Sequence, residues 1–231
     1  MRILFVASDP MEFTGILAKA TQVQPESSKV DWSRSANLGG NDVLLAANGV
    51  GWKRAAAAVD AAQSFRPHAI VSTGFCGALE DGLAVGDVVV GDVVAGTGAN
   101  RISCRPVTSP APYRTGAVCS LDHVAQTSEE KRLLRSSGAC VVEMEAAGVG
   151  ERAQSLGLAF HCVKVVTDLA GETMVNDFNS ALRSDGHFDT MLILRRSLRH
   201  PTARLPELLR LRKRCNRAAR VLGEFFADCR F

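Results

Sequence analysis

The feature that most constrains this chain is a series of short apolar runs, several of them without a polar break. They fall at residues 3–7, 43–47, 69–73, 88–95, 117–119, 139–142 and 162–167. A strand half-exposed to water alternates apolar and polar side chains, so unbroken runs of this length predict strands covered on both faces. Between them lie segments with helical character. Residues 53–65 (KRAAAAVDAAQSF) are strong helix formers that stop before Arg66-Pro67, and helices are also predicted over 145–156, 180–198 and 206–226, the last with Pro206 in its first turn. Alternating strands and helices imply an α/β fold: a three-layer α/β/α single domain around a mixed, largely parallel twisted sheet. With 231 residues, 46% of them apolar, one core suffices. The whole of 1–231 is therefore read as one domain, ending in a basic helical segment at about 205–231. Residues 96–115 are rich in Gly, Ser, Thr and Pro and read as a long loop, suited to a lid or an intersubunit contact.

Ligands of such sheets sit beyond the carboxyl ends of the strands. The predicted exits carry Ser8-Asp9, Asn48-Gly49, Gly74, Asp122, Glu143 and Asp168. The segment ACVVEMEAAGVG stands out, because two carboxylates, Glu143 and Glu145, flank Met144 where a buried strand hands over to a helix. Carboxylates are seldom buried unless paired or hydrogen-bonded. They are either solvated end-of-strand acids or the holders of a ligand with several hydroxyls. Asp168 closes another apolar strand, where it could cap a helix or serve as an acid whose pKa burial has raised. In STGFCGAL, Gly74 and Gly77 free the backbone for close approach.

Other chemistries are disfavoured. GTGANR at 96–101 lacks the third glycine of a dinucleotide-binding turn, no phosphate-binding GxxxxGK[ST] or GxSxG occurs, and the five histidines lack metal-ligand spacing. Seven scattered cysteines without a CxxC pair indicate neither a disulfide framework nor a zinc knuckle, and suggest a reducing compartment. The opening apolar run is too short for a signal peptide, so a cytoplasmic protein is expected. Charge is uneven: residues 195–231 hold eleven Lys/Arg against Glu207, Glu224 and Asp228. Leu205, Leu208, Leu211, Cys215, Ala218, Leu222 and Phe225 form a helical stripe there, with Arg210, Lys213, Arg214 and Arg217 mainly off it. This is either a terminal helix docked on the sheet with a solvated basic face, or a surface helix in peripheral contact with anionic membrane. Nucleic acid is disfavoured, because basic and aromatic residues do not interleave.

Taken together and in order, VSTGFCGAL…GLAVGDVVV, VVEMEAAGV and VKVVTDLAG resemble the nucleoside phosphorylase / nucleosidase superfamily, and within it most the methylthioadenosine / S-adenosylhomocysteine nucleosidases. The likeness covers roughly residues 1–197. It implies that Glu145 accepts the ribose 2′- and 3′-hydroxyls, that Met144 packs under the sugar, and that Glu143 is a neighbour or supporting partner. It implies that Asp168 faces the purine N7 and exocyclic amine, that Gly74 and Phe75 border the sugar, and that Glu12 activates a water. Superfamily phosphorylases bind phosphate with an arginine after the first strand, where this chain has an acid, so hydrolysis without a cofactor or metal is implied. The expected substrate is a 5′-substituted adenine nucleoside: methylthioadenosine, S-adenosylhomocysteine or an adenosylated lipid such as adenosylhopane. A homodimer is implied. The chain departs from the nucleosidase pattern at Phe75, where a serine is usual, and at Val124, near the place of an aromatic that packs on adenine. A phosphate-dependent phosphorylase and a non-catalytic nucleoside-binding member of the fold remain alternatives.

Overall fold

A computed structural model describes residues 1–96 and 101–231. Ten strands form one mixed sheet: β1 (Arg2–Ala7), β2 (Thr21–Pro25), β3 (Trp32–Leu38), β4 (Asn41–Ala47), β5 (Ala69–Ala78), β6 (Val88–Ala95), β7 (Arg101–Ser103), β8 (Arg114–Ser120), β9 (Ala139–Glu143) and β10 (Ala159–Asp168). Their order is β10-β6-β8-β9-β5-β1-β4-β3-β2, with β7 on β6. Because β10 also pairs with β5, the strands β5, β10, β6, β8 and β9 close on themselves. The pairs β1–β4, β1–β5, β5–β10, β6–β8 and β8–β9 are parallel.

The helices are α1 (Thr14–Leu17), α2 (Trp52–Ala61), α3 (Ser128–Arg135), α4 (Ala146–Ser155), α5 (Thr190–Ser197) and α6 (Pro201–Ala227). β1 shows why the molecule has three layers. Its even residues Leu4 and Val6 join the core under α2 and α4, with Ala58, Val59 and Val149. Its odd residues Ile3 and Phe5 join the core under α1 and α6, with Ile16, Leu222, Phe225 and Phe226. Every second side chain faces a different helical layer, which is why the strand is apolar throughout.

Several boundaries differ from expectation. β5 does not end at Thr73 but runs through the glycines to Ala78, because Gly74, Phe75 and Cys76 keep pairing with Lys164, Val165 and Val166 of β10. The helix expected over 180–198 is broken: a single turn at Asn179–Ala181 leads to a bend at Gly186 (φ 77°), and α5 starts only after Asp189, whose side chain caps Leu192 N. α6 begins at Pro201 rather than Pro206, and Pro206 lies inside it. The long loop expected over 96–115 contains β7 and the start of β8; its residues 97–100, and with them most of GTGANR, lie outside the described residues. The apolar stripe of α6 docks in the core, with Cys215, Ala218, Leu222 and Phe225 buried, so the tail is a docked helix with a basic outer face. Among the described residues no helix is long and apolar enough to cross a membrane.

Candidate active site

One cavity of about 350 Å³ opens at the carboxyl ends of β1, β4, β9 and β10 and along the end of β5, lined among others by Glu12, Phe75, Glu143, Met144, Glu145 and Asp168. That volume suits a small ligand. The parallel order β4-β1-β5-β10 brings together exits far apart in sequence.

Glu12 sits in a tight turn after β1, Pro10–Phe13, capped by Asp9. Its Oε2 accepts from Ser8 N, Ser8 Oγ and Asp9 N at 2.8, 2.9 and 2.9 Å, and its Oε1 accepts from Phe75 N at 2.7 Å. The carboxyl is buried, and burial raises its pKa although these donors oppose the rise. Gly74 explains how Glu12 comes so close to β5: a Cβ there, at φ 120°, would stand 2.3 Å from Glu12 Oε1. Gly77 does the same for Asp168, whose Oδ2 would be 2.7 Å from an added Cβ. The space the glycines leave is thus occupied by the protein's own carboxylates. Phe75 contributes its backbone N–H to Glu12 and part of the cavity wall.

Glu143 and Glu145 are both buried but do different things. Glu143 accepts from Glu145 N at 3.0 Å and Ala146 N at 2.9 Å, meeting the free amides that open α4. It also ion-pairs at 2.7 Å with Lys164 of β10, whose Nζ donates to Thr73 O at 3.0 Å. Lys164 is wholly buried; burial disfavours its charge, yet the charge of Glu143 holds the ammonium above its ordinary range. The carboxylate of Glu145, by contrast, accepts among the described residues only from Gly51 N, at 3.0 Å, and lines the cavity with most of its acceptor capacity unused by them. Burial, and next the Glu143 charge, push it up to about 8. Met144, between them in sequence, is 7% exposed and lines the cavity.

Asp168 ends β10. Its Oδ2 pairs with Lys131 of α3, and its Oδ1 accepts from Thr167 Oγ1 at 3.1 Å. Burial raises its pKa, opposed by Lys131. Lys131 has no exposed surface and also donates to Leu169 O at 2.8 Å. Neither Lys131 nor Lys164 was singled out from sequence. The signal for Lys164 was a lone basic residue inside an apolar strand; Lys131 lies in SEEKRLLR, where a charged run reads as a solvated face. Ser72, on β5 before Gly74, is wholly buried and does not line the cavity. Val124 does line it, its backbone held by Asn179 from both sides at 2.8 and 2.9 Å. Aromatic surface comes instead from Phe178 and Phe188, packed edge to face at 6.0 Å. Five acids line the cavity, and among the described residues no Lys or Arg does.

The family model of the phosphorylase superfamily matches residues 2–106 and 103–188. The chain belongs to this superfamily. A 5′-methylthioadenosine/S-adenosylhomocysteine nucleosidase of Shewanella sp. (strain MR-7) is 23% identical over 226 residues, covering 84% of this chain and 95% of that protein. The solved nucleosidase of the same description from S. pneumoniae, with the transition-state inhibitor MT-ImmA, superposes with TM-score 0.72 over 99% of each chain at 18% identity. The native futalosine hydrolase of Helicobacter pylori strain 26695 gives 0.69 at 17% identity, over 97% of this chain and 96% of its own. The chain thus shares its fold with solved proteins of both descriptions.

Proposed function

We propose that the protein hydrolyses the N-glycosidic bond of a 5′-substituted adenine nucleoside and releases adenine. The observation that carries hydrolysis over phosphorolysis is the carboxylate of Glu12 in the turn after β1, on the cavity wall. Phosphate needs a cation or a cluster of free N–H groups, and here the position after β1 holds a carboxylate already bound by four donors.

In this reading Glu145 accepts the two ribose hydroxyls, since an ionised carboxylate has only acceptor capacity and a vicinal diol offers two donors. Met144 packs under the sugar. Glu143, tied to Lys164 and to the start of α4, holds that segment in place. A water beside Glu12 attacks C1′ and gives its proton to Glu12. The bond between C1′ and the purine breaks, its electron pair goes to the base, and a proton from Asp168 reaches N7. The sugar grows cationic during this step, so its contact with the Glu145 anion strengthens toward the transition state. The apolar side of the wall, with Met174, Phe178, Phe188, Ile193 and Leu211, supports an apolar 5′ substituent, from a methylthio group to an adenosylated lipid. The family resemblance supports a homodimer in the cytoplasm, which light scattering on the purified protein tests for assembly.

The deciding assay measures adenine release from methylthioadenosine, S-adenosylhomocysteine, adenosine and an alkyl 5′-substituted adenosine, with and without phosphate. Turnover independent of phosphate, with free ribose products, is expected. Formation of a ribose 1-phosphate, with no turnover when phosphate is omitted, would replace hydrolysis by phosphorolysis; binding without turnover of any of these nucleosides would leave a binding protein.

A further inference from the structure

Ten large apolar side chains are exposed among the described residues, and five of them, Val175, Met191, Leu194, Leu198 and Leu209, fall in three short segments. Those segments meet. Buried Glu207 of α6 accepts from Val175 N at 2.7 Å and Asn176 N at 2.8 Å, and Ser197 Oγ of α5 donates to Asn176 Oδ1 at 2.8 Å. Three of the exposed residues also neighbour one that lines the cavity. Val175 follows Met174, Leu194 follows Ile193, and Leu209 lies two residues before Leu211. On α5 the exposed residues Met191, Leu194 and Leu198 are spaced three and four apart and so share one face, while Ile193 looks into the cavity. On its outer side α5 thus presents Met191 and Leu194, with its C-cap Leu198, beside Thr190 and Arg195, a more apolar outer side than is usual for a surface helix.

The charge around this face is mainly positive, with Asp177 and the α5 cap Asp189 as the acids at its edge. Arg195, Arg199, Arg210, Arg212 and Lys213 form no ion pair among the described residues, and the nearby acid Glu207 is buried and engaged by backbone amides. The match to the superfamily model ends at residue 188, before α5 begins. The α5 and α6 part of this face thus lies beyond the matched residues, while Val175 lies within them.

We propose that the face built by Val175, α5 and the start of α6 docks on an anionic lipid bilayer, with the cavity mouth at the membrane surface. Exposed leucine and methionine ringed by unpaired arginine match the two components of such a surface, acyl chains below and negative headgroups around. The docking stands on the surface alone; its use, to admit a nucleoside whose 5′ substituent resides in the bilayer, rests on the hydrolase reading above.

The test is sedimentation of the full-length protein with vesicles of phosphatidylcholine alone or mixed with phosphatidylglycerol. Binding to the mixed vesicles at low salt, weakened at least several-fold at high salt, is expected. Leu194→Asp/Leu198→Asp should abolish it, and Arg195→Glu/Arg199→Glu should weaken it about tenfold or more, each Lys/Arg near the surface having a substantial share. Both variants should release adenine from a soluble nucleoside at the wild-type rate, since none of these residues lines the cavity. Failure of the wild type to bind anionic vesicles, or equal binding by all variants, would overturn the proposal. So would a change of oligomeric state in the leucine variant by light scattering, which would mean that a second copy covers this face. Adenine release is read separately, so failure of the hydrolase reading leaves the vesicle result standing, and the reverse.

Discussion

A carboxyl group that protonates a departing purine must still hold its proton near neutral pH, and Asp168 has two opposed influences on that proton. Burial raises its pKa; Lys131 lowers it, Thr167 donates to it, Glu172 nearby raises it, and Arg214 adds positive charge from α6. Removing Asp168's proton chemistry while keeping its shape, as Asp168→Asn, should lower turnover by roughly 10²–10⁴ with little change in substrate binding. Lys131→Met separates the two influences. Without the Lys131 charge, the largest influence opposing burial is gone, so the pKa of Asp168 rises and the alkaline limb of the pH–turnover profile should move to higher pH. At high pH the variant should also lose about 3–5 kcal/mol of stability, because ionised Asp168 has lost its buried partner, and regain it on acidification as Asp168 takes up a proton. An unchanged alkaline limb in a folded variant would mean that Lys131 does not set the acid's titration. The place of Asp168 at the end of an apolar strand is legible in the sequence, and its proposed role comes with the family resemblance; its partner is not legible, because a lysine flanked by Glu129, Glu130 and Arg132 carries no sequence mark of burial.

At the scale of elements, the turn that carries Glu12 adjoins a close helix crossing. α1, directly after Glu12, crosses α6 so closely that a Cβ on Gly15 would lie 1.9 Å from Ala219 O, and one on Gly223 would lie 2.1 Å from Gly15 O. Overpacking a contact between backbones cannot be relieved by a side-chain rotation. Gly223→Ala should therefore cost about 3 kcal/mol or more and reduce adenine release through displacement of the Glu12 turn. Gly171→Ala, with nothing near its added Cβ, should leave the midpoint of denaturation and the rate nearly unchanged. Equal stability of the two variants would show that this crossing yields more easily than its geometry implies. The same elements mark the limit of what periodicity conveys. Apolar runs mark β1, β4 and β6 because strands covered on both faces are mostly apolar. β2 and β3 escape such a reading: β2 is exposed along its whole length and β3 includes Ser33, Arg34, Ser35 and Asn37, so neither has the pattern of a buried strand. β5 outruns its expected end at the glycines, which usually close strands but here remain paired because the neighbouring carboxylates need the room.

Across the whole molecule, the fold keeps several buried carboxyls within one cleft, and this has a consequence for global stability. Glu145, pushed up to about 8 from an ordinary 4.5, holds a proton in the folded state over a window in which the unfolded chain has released it. The folded state then binds more protons than the unfolded one, so stability falls as pH rises between those two values. The contribution is fully present below about 4.5 and gone above about 8. Glu145→Gln resembles the protonated acid at every pH and does not titrate. Without ligand, the variant should match the wild type near pH 5 and exceed it above pH 8 by up to a few kcal/mol, since each tenfold change in proton affinity is worth about 1.4 kcal/mol. Urea denaturation of both proteins across this range is the measurement. A nucleoside diol that donates to the ionised carboxylate favours the anion, so ligand-induced stabilisation of the wild type should grow toward pH 8 and that of the variant should stay flat. Parallel stability curves for the two proteins would mean that Glu145 is already ionised at neutral pH in the empty site. The diol would then meet a preformed anion, and substrate affinity would not rise with pH through this residue.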